Sequence, residues 1–404
     1  MEARARIGVC FSGGGFRASF YALGVLRYLA EAGLLTDVVA VSAVSGGSIA
    51  AAALADRVDG VTAGGLTDAA FLREVDRPFR TVVTGENLRN EWLVRAAAAW
   101  LRGRRVGRGV ILGELLQDRL YRTRDVGALP PGPQIILTTT DLATGRAFRI
   151  GRDFIGSFDF GYVTAPPAIT VGFAAAASAA VPALFAPVSL PTAGLGLQDA
   201  PDVLSLADGG VYDNLGLEWF QGWDSGRPPS AEAADFLIVA NAGGLLTRAT
   251  HPYGGLRGLW RAKDVQYSQT TKLRVRWYVG ELLAGRRRGI YLAIELDPRH
   301  YLLPDGTPIN PALYDGALPP DLVPALAKLR TDLDRFTPEE ADLLSYHAYW
   351  STHARLGALH RELAVATPTW REYASLTGDE VAGLRRVLVR GSRRLRLPRR
   401  HDCV

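Results

Sequence analysis

The 404-residue chain predicts an α/β fold in three layers, α/β/α, with a largely parallel central sheet. Two observations carry this. Short β-branched apolar runs alternate with longer helix-forming stretches, and the strand-like runs stop at glycine-rich turns. Residues 7–11 read as a first buried strand. Gly13-Gly14-Gly15 follows, then an apolar helix over 16–32 closed by Gly33. Residues 38–44 form an unbroken apolar, β-branched run and read as a second buried strand. It ends at Ser45, and Gly46-Gly47 leads into the alanine-rich helix former 49–54.

Residues 61–130 read as a helix-rich insertion. Strands return over 131–245, most clearly at 134–140 and 236–240, with a turn at Asp208 between them. The alanine-rich stretch 171–190 holds two prolines and reads as buried segments near the site, not as a membrane span. Residues 246–330 are mixed, with a Pro/Gly-rich loop at 298–320. Thr337-Pro338-Glu339-Glu340 opens a long helix with a capping box and proline at its first position. A second capping box, Thr377 with Glu380, opens a last helix that Gly391 is expected to stop. The expected organisation is one domain over 1–365, including a C-terminal helix within 331–365, followed by a helix and basic tail over 366–404.

Composition is that of a globular chain, 48% apolar with a net charge of +5. Two cysteines, Cys10 and Cys403, suggest neither a disulfide framework nor a metal site. The first strand begins so early that no signal peptide is expected. Only three of the 46 basic residues are lysines, and the charge is uneven. Residues 381–404 hold eight arginines against one acid, Asp402, while Leu384, Val387 and Leu388 supply an apolar stripe. A basic amphipathic helix reads as a membrane-surface element, or as a terminal helix packed on the domain. Nucleic acid is not expected, because no recognition module accompanies the charge. Residues 92–105 join two tryptophans to an Arg-Gly-Arg-Arg turn. They read as a helix packed over the sheet, or as a lid or interfacial anchor.

Three segments carry chemistry. A serine between a strand end and a helix start occupies a sharp turn, as in the G-x-S-x-G nucleophile elbow, although Ala43 stands where that pattern has its first glycine. Ser45 has two rivals, Ser42 inside the strand and Ser48 in the first helical turn. The run Gly13-Gly14-Gly15 offers several backbone N–H groups beside a helix N-terminus and so forms a nest for an anion, either a phosphate or the oxyanion of a tetrahedral intermediate. A dinucleotide site would want an acid at the end of the next strand. Asp37 precedes that strand, and Ser45 occupies its end. Third, Asp208-Gly209-Gly210 follows a short apolar stretch, and alone reads only as a turn.

In order and spacing, these segments resemble the patatin-like phospholipase family and the related cytosolic phospholipase A2 catalytic domain. The resemblance includes GGGFR at 13–17, the elbow serine and DGGVYDNLG at 208–216, with further likeness at 138–148, 177–188 and 331–350. It implies a Ser–Asp dyad with Ser45 as nucleophile and Asp208 as base, and Gly13, Gly14 and Gly15 as the oxyanion hole. By position Arg17 is assigned to the substrate phosphate, with a loop-fixing salt bridge as the alternative. The malonyl-transferase relatives place a histidine before the elbow serine, where this chain has Val44. A histidine triad would draw on His251 or His300, neither in a distinctive setting.

The expected activity is hydrolysis of fatty-acyl esters of lipids, as a phospholipase A or lysophospholipase, with no metal or cofactor. The rivals are an inactive scaffold protein and a Ser-His-Asp esterase. The expected partners are a lipid substrate and, peripherally, an anionic membrane, in a cytoplasmic setting on the membrane's inner face. The oligomeric state is left open.

Overall fold

The computed structural model describes residues 5–393 except 105, 165–168, 183–184, 222–233, 245 and 247–253. Ten strands are described: β1 (Ile7–Phe11), β2 (Val38–Val44), β3 (Gln134–Asp141), β4 (Ala147–Gly151), β5 (Phe154–Ser157), β6 (Gly161–Thr164), β7 (Val188–Pro191), β8 (Val203–Asp208), β9 (Phe236–Asn241) and β10 (Arg288–Ala293). The helices begin with α1 (Gly15–Glu31) and α2 (Gly46–Ala63). The expected insertion then supplies α3 (Asp68–Phe71), α4 (Arg77–Gly85), α5 (Leu88–Leu101) and α6 (Arg108–Leu120). After them come α7 (Val171–Ser178), α8 (Gly210–Asp213), α9 (Gly255–Leu283), α10 (Val323–Leu326), α11 (Pro338–Leu359) and α12 (Gly378–Arg393).

All ten strands join one sheet. Its heart, β10-β9-β1-β2-β3, is parallel. Beyond β3 the sheet continues antiparallel through β4, β5 and β6. β8 pairs antiparallel with the far end of β3, and β7 with β8. Period-two alternation gives the sheet two buried faces. Ile7, Val9 and Phe11 pack into the larger core with α1, α2 and α11. Cys10, Ala40, Leu237 and Val239 point the other way, against Leu217, Trp219, Phe220 and Tyr278 of α9. The three-layer α/β/α arrangement follows, with α9 forming part of the third layer.

The register of β3 decides where the site lies. Its first half pairs with β2, ending at Val44 opposite Thr138. Its second half pairs with β8, whose last residue, Asp208, lies opposite Thr139. On one flank of β3, therefore, a parallel strand and an antiparallel strand meet end to end. The residue after Val44 and the last residue of β8 converge because of it.

One expectation needs correction at the C-terminus, and of the two readings of the last helix the packed one is found. The capping box at Thr337 and Glu340 is present in both directions, but Gly391 does not stop the last helix, which runs on to Arg393. Its carbonyl accepts from Arg330 at 3.2 Å, and the Glu340 carboxylate would lie 1.8 Å from any Cβ added there. Gly391 is thus a close-packing position. The apolar stripe of α12 is also spoken for: Leu388 is buried in the main core, and Val381 and Leu384 pack against it. The arginines at 394, 396, 399 and 400 lie outside the described residues.

Candidate active site

Ser45 joins β2 to α2 with φ 53° and ψ −120°. A non-glycine residue at positive φ is strained, and that strain turns the side chain out of the sheet at the strand end. Gly46 is what allows the neighbouring loop to come so close: a Cβ there would lie 1.8 Å from the Gly15 carbonyl oxygen. The elbow is held from below by Ser178, the last residue of α7. The Ser45 N–H donates to Ser178 Oγ at 2.9 Å, and Ser178 Oγ donates to the Thr138 carbonyl at 2.6 Å. Ser48 Oγ is 2.8 Å from the same oxygen. Both rival serines are placed away from the cavity lining. Ser48 belongs to the support of the turn, and Ser42 is fully buried within β2, beneath Gly216.

Asp208 is 3% exposed. Its N–H donates to the Ala180 carbonyl at 2.9 Å, its carbonyl accepts from Thr140 Oγ1 at 2.9 Å, and Oδ1 accepts from the Gly210 N–H at 2.7 Å. Burial pushes the carboxyl up to about 6, against the opposing effect of hydrogen bonds from the Ser45 side chain and the Gly210 N–H. A carboxylate with that value is a better proton acceptor near neutrality than an ordinary aspartate.

The glycine loop is only partly the expected donor set. The Gly13 N–H is already used, donating to the Asn214 carbonyl at 3.0 Å. Gly14 (φ 145°) and Gly15 (φ 61°) take backbone conformations that suit glycine, and both line the cavity with Ser45 and Asp208. No described residue accepts from either N–H.

Arg17 is also placed differently from the expectation. It is 1% exposed and points away from the cavity. Its guanidinium donates to the carbonyls of Ala242, Ala327 and Leu329 at 2.7–3.1 Å. Burial lowers it to about 10, so it stays charged at neutral pH. Its donors are taken by backbone carbonyls, and among the described residues it makes no salt bridge, the alternative expected for it. It ties the first turn of α1 to two distant segments, and the Phe16 N–H adds a bond to the Asp332 carbonyl at 3.1 Å.

The cavity measures about 810 Å³, within the usual range for small-molecule sites. Val181, Pro182, Val211 and Leu246 supply apolar wall, and Arg261, Lys263 and Tyr267 of α9 supply a polar one. No histidine lines it among the described residues. His347 sits under the sheet with Nε2 3.0 Å from the Ile294 carbonyl, and burial pushes it down to about 4. His251 and His401 lie outside the described residues. Among the described residues no cluster could hold a metal ion.

Three residues near Ser45 and Asp208 were not singled out from the sequence. Ser178 lies inside an alanine-rich stretch. Asn214 lies in the DGGVYDNLG run, where its carbonyl receives Gly13 and its Oδ1 accepts the Tyr267 hydroxyl. Tyr267 comes from α9, far along the chain. A Cβ on Gly210 would lie 2.3 Å from the Tyr267 hydroxyl and 2.9 Å from Asp208 Oδ1, so all three groups crowd one turn.

The family model described as Patatin-like phospholipase matches residues 9–219, just over half of the chain. Among solved structures, human GIVD cytosolic phospholipase A2 in complex with methyl gamma-linolenyl fluorophosphonate aligns with a TM-score of 0.50 at 14% identity, covering 95% of this chain and 59% of that one. A second structure of human GIVD cytosolic phospholipase A2 aligns at 0.48 and 12%, covering 95% and 63%. VipD from Legionella pneumophila aligns at 0.34 and 13%, covering 95% and 75%. This chain therefore spans less than two thirds of the human enzyme's length. No curated protein sequence matches it. The family match runs from β1 through the Asp208 turn, the part of the chain that builds the elbow, the glycine loop and the acid, and the chain belongs to the patatin-like phospholipase family.

Proposed function

We propose that this chain is a serine acyl hydrolase that cleaves fatty-acyl esters of phospholipids or lysophospholipids through a Ser45–Asp208 dyad. Membership of the family supports lipid acyl hydrolysis as the broad activity. The observation that carries the dyad is the end-to-end meeting of β2 and β8 on β3, which brings one serine and one buried carboxylate to the wall of the same cavity.

Ser45 Oγ attacks the ester carbonyl while Asp208 takes its proton. The N–H groups of Gly14 and Gly15 receive the oxyanion; donors of this kind each contribute about 3 kcal/mol. Collapse expels the alcohol, which leaves with the proton from Asp208, and an acyl-Ser45 remains. Water then attacks the acyl group, Asp208 again takes the proton, and the fatty acid departs as Ser45 is restored. Neither step draws on a metal or cofactor. The apolar side of the cavity suits an acyl chain, and the polar side along α9 carries Arg261, Lys263 and Asp264, the last two paired at 3.5 Å. No helix among the described residues is long and apolar enough to cross a membrane.

A fluorophosphonate tests the nucleophile. Wild-type protein should be labelled on Ser45, with loss of ester hydrolysis. Ser45→Ala should take no label, while Ser42→Ala and Ser48→Ala keep it. Labelling of Ser45→Ala at another cavity residue would overturn the assignment.

A further inference from the structure

α5 turns the wrong side to solvent for an ordinary surface helix. Leu93, Val94, Trp100 and Leu101 are 52%, 68%, 76% and 76% exposed, and Ala97 between them is exposed as well. At helical spacing these five residues share one face. The charged residues of the helix face inward instead. Arg95 is paired with Glu91 at 2.8 Å and with Asp118 of α6 at 2.6 Å, and Arg119 of α6 holds Glu91 at 3.0 Å. Trp92 also faces inward, its ring 4.7 Å from Phe185 and its Nε1 donating to the Arg108 carbonyl at 2.9 Å. The outer face of α5 is thus a continuous apolar stripe about two and a half turns long.

The surroundings indicate what covers it. Between Glu91 and Glu114 the chain holds five arginines and no acid. Arg95 is paired with Glu91 and Asp118, and Arg104 with Glu114 at 3.1 Å. This leaves Arg102 and Arg108 as the exposed arginines with no ion pair among the described residues. The stripe ends at Trp100-Leu101, and Arg102, Gly103 and Arg104 follow, all exposed. An apolar face ending in an aromatic and flanked by arginines matches a bilayer interface, where apolar side chains enter the acyl boundary and guanidinium groups remain among anionic headgroups. α5 itself lines none of the cavity, but its first turn is tied to the segment beside it. The Arg89 N–H donates to the Leu333 carbonyl at 3.1 Å, and its side chain pairs with Asp332, next to cavity-lining Thr331. Phe185, which Trp92 covers, follows the lining residues Val181 and Pro182.

We propose that the outer face of α5 and the basic turn after it form a docking surface for an anionic bilayer, set beside the mouth of the cavity. The proposal rests on the lipid-ester reading of that cavity. It assigns membrane contact to α5, where apolar area and positive charge adjoin. The stripe of α12, in contrast, is packed on the domain.

The test is co-sedimentation of the full chain with vesicles of phosphatidylcholine alone, or of equal parts phosphatidylcholine and phosphatidylglycerol. Trp100→Ala/Leu101→Ala should weaken binding to the mixed vesicles by ~10-fold or more, from the lost apolar burial. Leu93→Ser/Val94→Ser should weaken it in the same direction. Arg102→Glu should weaken it at low salt only. A chain lacking 394–404 should still lose affinity on Trp100→Ala/Leu101→Ala. Hydrolysis of a soluble short-chain ester should be unchanged in all of these variants. That arm checks the fold and reports on the catalytic reading separately from docking. Unchanged vesicle binding in both apolar pairs would overturn the proposal. So would a fall in solution mass from dimer to monomer at constant vesicle affinity, which would make the stripe a contact between two copies.

Discussion

Replacing Asp208 with asparagine should remove activity and raise stability together. Burial moves the carboxyl from its ordinary 3.8 to about 6. Each unit of such displacement is worth 1.36 kcal/mol, so holding the carboxylate ionised in the folded state costs about 3 kcal/mol. The folded-state value is the higher one, so between 3.8 and 6 the native protein binds more protons than the unfolded chain. This contribution to stability therefore falls as pH rises through that window and is constant above it. Asparagine keeps an oxygen for the Gly210 N–H, cannot ionise and cannot take the serine proton. Denaturant unfolding of wild type and Asp208→Asn across pH 4 to 8 should show the variant gaining on wild type by about 3 kcal/mol between pH 4 and 7, then running parallel. Ester hydrolysis by the variant should fall by orders of magnitude. A stability difference independent of pH would refute the buried, ionisable carboxylate. Retained activity would refute its role as base.

Three further outcomes follow from the same geometry. Activity on a soluble ester should rise about tenfold from pH 5 to 7, as Asp208 loses its proton near 6, and a pH-rate profile flat over that span would mean the base is another group. Arg17→Met leaves the Ala242, Ala327 and Leu329 carbonyls without their buried donor and should destabilise the fold by about 3 kcal/mol or more in thermal unfolding; hydrolysis of neutral esters and of phospholipids should fall in parallel, whereas selective loss on phospholipids would restore a phosphate contact. Ser178→Ala removes the acceptor for the Ser45 N–H and the donor to Thr138. It should cost about 1–3 kcal/mol of stability and lower kcat more than it changes KM, measured by steady-state kinetics beside calorimetry.

Local chemistry determined a good deal. β1 and β2 occupy the runs read as buried strands, because short apolar runs rich in β-branched residues and stopped by glycine turns leave few alternatives. The capping boxes at Thr337 and Thr377 both form, since each needs only neighbours three residues apart. Ser45 was legible for the same reason: its strand, turn and helix are contiguous. α9 and β10 were not. Leu259, Leu273 and Leu283 stay exposed along α9 while Tyr278 is buried, so the helix shows no single apolar face to read.

What only the tertiary structure decided concerns groups that meet across long separations. Asp208 reaches Ser45 because β3 pairs with β2 along one half and β8 along the other, and nothing in a DGG turn encodes that register. The glycine loop offers two line-of-cavity donors instead of three because Asn214, two hundred residues on, takes the Gly13 N–H. Arg17 looked like a ligand for a phosphate and is caged by backbone carbonyls from residues 242, 327 and 329. A sequence names the groups able to donate and accept. Which acceptor a donor finds is settled only when the chain has packed, because a buried polar group takes whatever partner the fold brings within about 3 Å.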